Sequence, residues 1–536
     1  MPSLWTMSPA WLFGIALGAC AAPREVGAPP AQGVPSAQPP SRPGAGAYFG
    51  PVPAGARAFS LAVTAEMLGT VEPCGCTTDP LGDLARTAKL LEGNDVVWVD
   101  GGEMTWPRDR EPRKRFQQEL RAALLADVAR ARGLAITRSP DRGSLALPGE
   151  DRVVVAGGVQ VGVLVAGADP AAQARALREK GAEVVVALLG ERRAARRLLG
   201  RVPGIDIGVV GAKVGEGDPI AERVEDAILV QPADQGRRVG LLRVVLRPGA
   251  PPRLEDAGGL GKRRARLAHL ERQIAALEAR LAGWSTQKDA DASFVAERRR
   301  ELERARAERS HLVDPRAPDR AVPARGSYFE YALVDIRRKL PRDAAIAARM
   351  REIDRQVSRE NLEAARREPA PPLPKDATTF VGGETCGKAG CHVKELAFWQ
   401  KTVHAHAWQT LVELDKQYDY DCIGCHVTGY GKPGGASLAR HAPLVSVQCE
   451  TCHGPGSRHV AGEGLEEPPA IVRAPAEDLC ASQCHTAEHS DTFERKAYLR
   501  DILGEGHAPR ARAALGAGPT GQGLRAAAIA RAKAAR

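Results

Sequence analysis

The chain of 536 residues carries four cysteine pairs in its last third, and a histidine directly follows the second cysteine of each. They are Cys386-GKAG-Cys391-His392, Cys422-IG-Cys425-His426, Cys449-ET-Cys452-His453 and Cys480-ASQ-Cys484-His485. Two thiols at such short spacing add across the vinyl groups on one side of a haem, and the adjacent imidazole reaches the iron from below. Two motifs have two-residue spacers; the longer spacers of the other two close if the extra residues loop outward. Zinc is the rival reading of paired cysteines with histidine, and a disulfide network is open to any exported chain. Neither requires a histidine after every pair. With 12 histidines in the chain, four such coincidences arise by chance roughly once in a few million cases. The expected cofactor is four covalently bound haems c, with His392, His426, His453 and His485 as proximal iron ligands.

Six histidines outside these motifs are candidates for the opposite axial position: His404, His459, His489 and His507, then His406 and His441. The five methionines are Met1, Met7, Met67, Met104 and Met350, so none lies near the motifs. A second axial histidine, or a five-coordinate iron, is therefore expected, with potentials on the low side for haems of this kind.

Other elements must hold these residues in place. Residues 1–20 end an apolar run at Leu17-Gly18-Ala19-Cys20, which reads as an export signal with Cys20 as a lipidation site, or as an ordinary signal. A Pro/Ala/Gly-rich stretch over 21–56 reads as a disordered tether. Residues 57–260 alternate β-branched runs with helical stretches and predict an α/β domain. Leu267, Leu270, Ile274, Leu277, Leu281 and Trp284 repeat at heptad spacing, so 261–314 predicts a coiled-coil hairpin. A strand and helix over 326–368 return to the first domain, a Pro-rich linker covers 369–375, the haem region spans 376–507, and 508–536 is a loose basic tail. The net charge of +10 resides in the hairpin and the tail, where Trp284 and Phe294 are the only aromatics and do not alternate with the basic residues. That pattern fits a solvated face and not a nucleic-acid surface.

The segments WQKTVHAHA at 399–407, DCIGCHVTGYGKPGG at 421–435 and VQCETCHGPG at 447–456 resemble the tetrahaem cytochrome c family that accepts electrons from hydroxylamine oxidoreductase in ammonia oxidisers. The resemblance implies a compact, mainly helical fold with stacked haems, and it places His404 at a distal-ligand position. A second resemblance, over 60–246 and 326–366, is to the calcineurin-like metallophosphoesterases of the exported 5′-nucleotidase type. It is carried by LAVTAEMLGTVEPCGC at 61–76, WVDGGEM at 98–104, VVVALLG at 184–190, GIDIGVVGA at 204–212 and VQPADQGRRVG at 230–240. That family holds two metals that activate water. Here Glu66-Met67-Leu68 stands where the family has Asp-x-His, Glu103 replaces the bridging Asp, and the later histidine positions fall on Gly190 and Lys213. The resemblance therefore implies the fold without its catalysis. Cys74 and Cys76 remain either a soft-metal pair or two buried thiols.

The expected function is electron transfer between periplasmic donor and acceptor proteins, by a membrane-anchored bacterial lipoprotein. Two alternatives are a phosphoester hydrolase and a redox enzyme acting on small nitrogen compounds at an open haem.

Overall fold

The computed structural model describes residues 44–534, apart from 74, 109, 140–144, 250–252, 259, 286–291, 314–321, 370–371, 466–467 and 487. Cys20, the export signal, most of the tether and Cys74 lie outside the described residues.

Among the described residues, twelve strands build two six-stranded sheets. The first comprises β1 (Arg57–Thr64), β2 (Val96–Asp100), β3 (Leu134–Thr137), β10 (Arg238–Leu246), β11 (Glu255–Asp256) and β12 (Tyr328–Asp335), in the order β11-β12-β10-β1-β2-β3. The second comprises β4 (Arg152–Ala156), β5 (Val159–Val165), β6 (Val184–Glu191), β7 (Ile207–Ala212), β8 (Glu222–Val224) and β9 (Ala227–Val230), in the order β4-β5-β6-β7-β9-β8. Side chains alternate across each strand. Phe59, Leu61 and Val63 of β1 thus enter the core between the sheets, while Ala62 faces the helices. Val161, Val163, Val186, Leu188 and Val209 meet them from the second sheet. Each such buried side chain contributes about 1.5–3 kcal/mol.

Helices cover both outer faces. α1 (Leu84–Leu90), α2 (Arg115–Ala131) and α7 (Ala344–Arg367) pack on the first sheet through Leu84, Leu125, Met350 and Ile353. α3 (Pro170–Glu179) and α4 (Arg192–Leu199) cover the second through Leu177 and Leu199. The result is a four-layer α/β/β/α sandwich. Asp83, Asp169 and Asp343 cap α1, α3 and α7 by accepting from Arg86 N, Ala172 N and Ile346 N. Two long helices, α5 (Leu260–Ser285) and α6 (Ala292–Val313), lie side by side. Leu270, Leu277, Leu302 and Ala305 are buried there, flanked by ion pairs from Arg266 to Glu308 and from Arg306 to Glu278.

The sequence expectation needs correction at both ends. Residues 45–48 form a turn of helix with Ala45 buried, and the Arg243 guanidinium lies 5.2 Å from the Phe49 ring centre, so the tether stops short of residue 56. Its two aromatics, Tyr48 and Phe49, anchor it to the core. The basic tail is not loose either. It forms helices over Pro509–Ala514 and Gly521–Ala534, and the second packs on the helix Arg495–Ile502.

Beyond the Pro-rich stretch the chain folds into short helices, of which Cys449–His453 and Ser457–Ala461 are typical. Ile423, Val427, Leu438 and Leu444 form a small core that also takes in Ala365 of α7. The Pro-rich stretch therefore does not separate two bodies: residues 42–536 make one compact unit.

The two sheets touch where β2 and β7 end. A Cβ on Gly211 would lie 2.2 Å from Gly101 O and 2.8 Å from Leu189 O. The contact draws together the loops that carry Glu66, Glu103 and Lys213. Gly211→Ala is expected to destabilise the chain by about 1–3 kcal/mol, read as a lower denaturant midpoint; an unchanged midpoint would show that the loops separate without cost.

Candidate haem centre

The local fold around the motifs is set by buried polar side chains more than by apolar ones. Glu450, inside the third motif, is buried and accepts from Val381 N at 3.0 Å, Gly382 N at 2.8 Å and Gly456 N at 2.7 Å. It thereby ties the helix Cys449–His453 to the segment entering Cys386. Gln448 does the same from the other side: its side-chain oxygen accepts from Gly383 N, while its amide nitrogen donates to Pro443 O at 2.8 Å and Val445 O at 2.7 Å. The helix then ends at Gly454, with φ of 89°, where a Cβ would lie 2.0 Å from Ala470 O. This close approach brings Val472 O to His453 Nδ1 at 2.8 Å.

The motifs meet in two couples. Cys386 hydrogen-bonds Cys449, which pushes the Cys386 thiol up and the Cys449 thiol down. Cys484 hydrogen-bonds Cys425 and is likewise pushed up. Burial raises the Cys422 and Cys452 thiols. Cys391 and Cys480 complete the eight, and Cys391 is exposed.

Three of the motif histidines face a histidine from elsewhere in the chain. The ring centres of His392 and His459 are 6.4 Å apart, those of His404 and His485 6.2 Å, and those of His453 and His507 5.9 Å. Two imidazoles bound to one metal from opposite sides, at about 2 Å each, have ring centres about 6 Å apart. The residues present thus fit an iron between each pair. Their nitrogens are set for it as well. Nδ1 bonds Val472 O in His453, Ile502 O in His507 at 2.7 Å and Ser490 Oγ in His485 at 3.0 Å. Such bonds orient the ring and leave Nε2 for a metal. Burial, and then His485, hold the His404 imidazole down at about 4, so the ring is neutral, the ligating form.

His426, the fourth motif histidine, bonds Ala407 O through Nδ1 at 2.5 Å. Among the described residues no histidine ring contact to it is recorded. His489 bonds Thr486 Oγ1 at 2.8 Å through Nδ1 and lines the same cavity as His426. His441 stacks on Trp408 at 4.8 Å and meets Tyr418 edge-on, and His406 is exposed. The cavity measures about 1340 Å³ and is walled by Cys422, Cys425, His426, Cys480, Cys484 and His485 on one side and by Glu72, Cys76 and Arg342 on the other. Small-molecule pockets are typically about 300–1,000 Å³, so this space has room for a larger occupant.

The first domain presents a different picture at the loops that carry Glu66, Glu103 and Lys213. Glu66 is buried, accepts from Lys213 N at 3.1 Å and Val214 N at 3.0 Å, and pairs with Arg108 at 2.5 Å. Its lone pairs are thus engaged by protein donors. Glu103 is exposed, and Lys213 pairs with Glu191 at 2.7 Å. Among the described residues no group of three or more His, Cys, Asp or Glu is gathered for a metal ion.

Sequence reasoning assigned no role to Glu450, Gln448 or Asp419. A buried carboxylate one residue from an attachment cysteine was the available signal for the first.

A family model described as cytochrome c554 and c-prime matches residues 385–454. Cytochrome c-554 of Nitrosomonas europaea is 33% identical over 120 residues, covering 19% of this chain and 50% of that protein. The chain therefore spans about half the length of the curated relative it matches. Among solved structures, sulfate thiohydrolase SoxB of Thermus thermophilus shares 12% identity over 71% of this chain and 72% of its own, with a TM-score of 0.34. The 5′-nucleotidase precursor of the same organism shares 15% over 61% and 63%, with a TM-score of 0.30. Scores this low carry no argument about activity. The first three motif histidines and their attachment cysteines lie within the cytochrome c554 match, and cytochromes c hold their haem by covalent bonds.

Proposed function

We propose that the chain is an exported multihaem cytochrome c that relays electrons between periplasmic redox proteins. The observation that carries this reading is the set of three imidazole pairs, each joining a motif histidine to a residue from another part of the chain at 5.9–6.4 Å. Four haems attach through Cys386 and Cys391, Cys422 and Cys425, Cys449 and Cys452, and Cys480 and Cys484. Haem iron supplies one-electron chemistry; the chain's own residues bind, orient and enclose it. The thiol contacts between motifs one and three, and two and four, support close spacing of the four sites. Export with Cys20 as a lipid anchor is supported by the apolar N-terminal run; among the described residues no helix is long and apolar enough to cross a membrane.

A second reading rests on His426, which stands outside the three pairs. An iron held by His426 would face the cavity, within reach of small ligands.

Three measurements test these assignments. Denatured protein, matured in a host that attaches haem, is expected to weigh four haems more than the chain; two haems would remove the long-spacer motifs, and zinc would remove the reading. Carbon monoxide is expected to bind the reduced protein at one haem per chain; fully low-spin protein without binding would give His489 to the His426 iron. Purified protein with manganese or zinc is expected to hydrolyse neither nucleotides nor phosphate esters; turnover lost on Glu66→Ala would mean that Glu66 exchanges its protein donors for metal.

A further inference from the structure

We infer that Arg121, on helix α2 of the α/β domain, is a positioning residue for the attachment motif Cys422–His426, and that its pairing with Asp419 sets the potential of the haem held there. The inference rests on the multihaem reading above and goes beyond it by giving the α/β domain a part in the redox site.

Three observations place the pair. Asp419 lies one turn before the motif, and its carbonyl accepts from both Cys422 N and Ile423 N at 3.0 Å. Its carboxylate is buried, with 4% of the side chain exposed, and is ion-paired to Arg121. Gln117 of α2 donates to the same carboxylate at 3.1 Å. The chain running into Cys422 is therefore seated on α2. Arg121 also donates to Asp421 at 2.8 Å, and Lys114 pairs with Asp421 at 3.1 Å.

Electrostatics reach the attachment sulfur as well. Asp419, Lys416, Arg121 and Asp421 are the charges that act on Cys422, after burial itself. Behind them, Lys416 pairs with Glu72 of the α/β domain at 2.8 Å. A cation beside a haem favours the reduced iron and an anion favours the oxidised iron, and partial burial keeps water from screening either. Arg121 and Asp419 should thus push the potential in opposite directions. A purely mechanical clamp would not distinguish their signs.

The test uses the full chain with haem attached, titrated spectroscopically. Arg121→Gln is expected to lower one of the haem potentials and Asp419→Asn to raise the same one, each by about tenfold in the reduction equilibrium (59 mV for one electron). Arg121→Lys, which keeps the charge, is expected to restore most of the shift. Unmoved potentials in a fully loaded Arg121→Gln protein, shifts of equal sign in the two variants, or parallel shifts of all haems would each overturn the inference. Should Arg121→Gln fail to accumulate, Asp421→Asn is expected to raise that same potential, and its failure to do so is equally decisive. A wild-type chain without haem would sink the cytochrome reading; a loaded chain with unresponsive potentials would sink only this one.

Discussion

A guanidinium largely enclosed between two parts of a protein needs carboxylates there, and Arg121 finds two, the buried Asp419 and the half-exposed Asp421. Its partners Asp419 and Asp421 belong to the region that holds the cysteine motifs, while Arg121 belongs to the α/β sandwich. Asn361 and Gln117 complete the contact, with Asn361 donating to Gln117 Oε1 and Tyr418 O at 3.0 Å each. Burial works against the Asp421 carboxylate, yet Arg121 and Lys114 hold it below its usual range. Desolvation makes such networks costly, so their net stabilisation is small, whereas removal of one member costs about 3–5 kcal/mol. Register is what such an arrangement specifies best. These contacts seat the two regions on one another with Glu72, Cys76 and Arg342 of the sandwich lining the cavity.

This dependence is sharpened by the thin apolar core of the haem region. The sandwich has three large clusters of buried apolar side chains, whereas the later region has one small one that borrows Ala365 from α7. Short helices with so little to bury are marginal by themselves. Buried polar groups take over much of the work, as Glu450 and Gln448 illustrate.

Legibility in the sequence followed the physics of each part. Strands rich in valine and isoleucine, such as β2, β5 and β6, can be read within one to three residues, because β-branched runs fit pleated, buried surfaces. The central strand β1 escapes: RAFSLAVT has only Val63 and Thr64 of that type, and its place comes from pairing with β10 and β2 on either side. The attachment motifs announce themselves because covalent chemistry demands fixed spacing. Histidines that face one another need only arrive in space, so nothing local separates His459 or His507, which face motif histidines, from His489. His441 shows the cost of counting histidines alone, since Trp408 and Tyr418 engage it in an aromatic cluster. The seating of Asp419 on α2 spans 302 residues of sequence and leaves no local trace.

The final helix, Gly521–Ala534, gives the molecule an order in time. Arg525 donates to Cys76 O at 2.6 Å across 449 residues, and Asp491 accepts from Thr78 N at 3.1 Å across 413. Contacts so distant in sequence form slowly, because the whole intervening chain must first be arranged. The sandwich strands pair over shorter stretches of chain, so the wall that joins residues 76–78 to Asp491 and Arg525 forms after them. Until then the cavity stands open on that side. That wall, which includes Cys76 and Arg525, is thus the side of the cavity whose formation depends on the rest of the fold being in place.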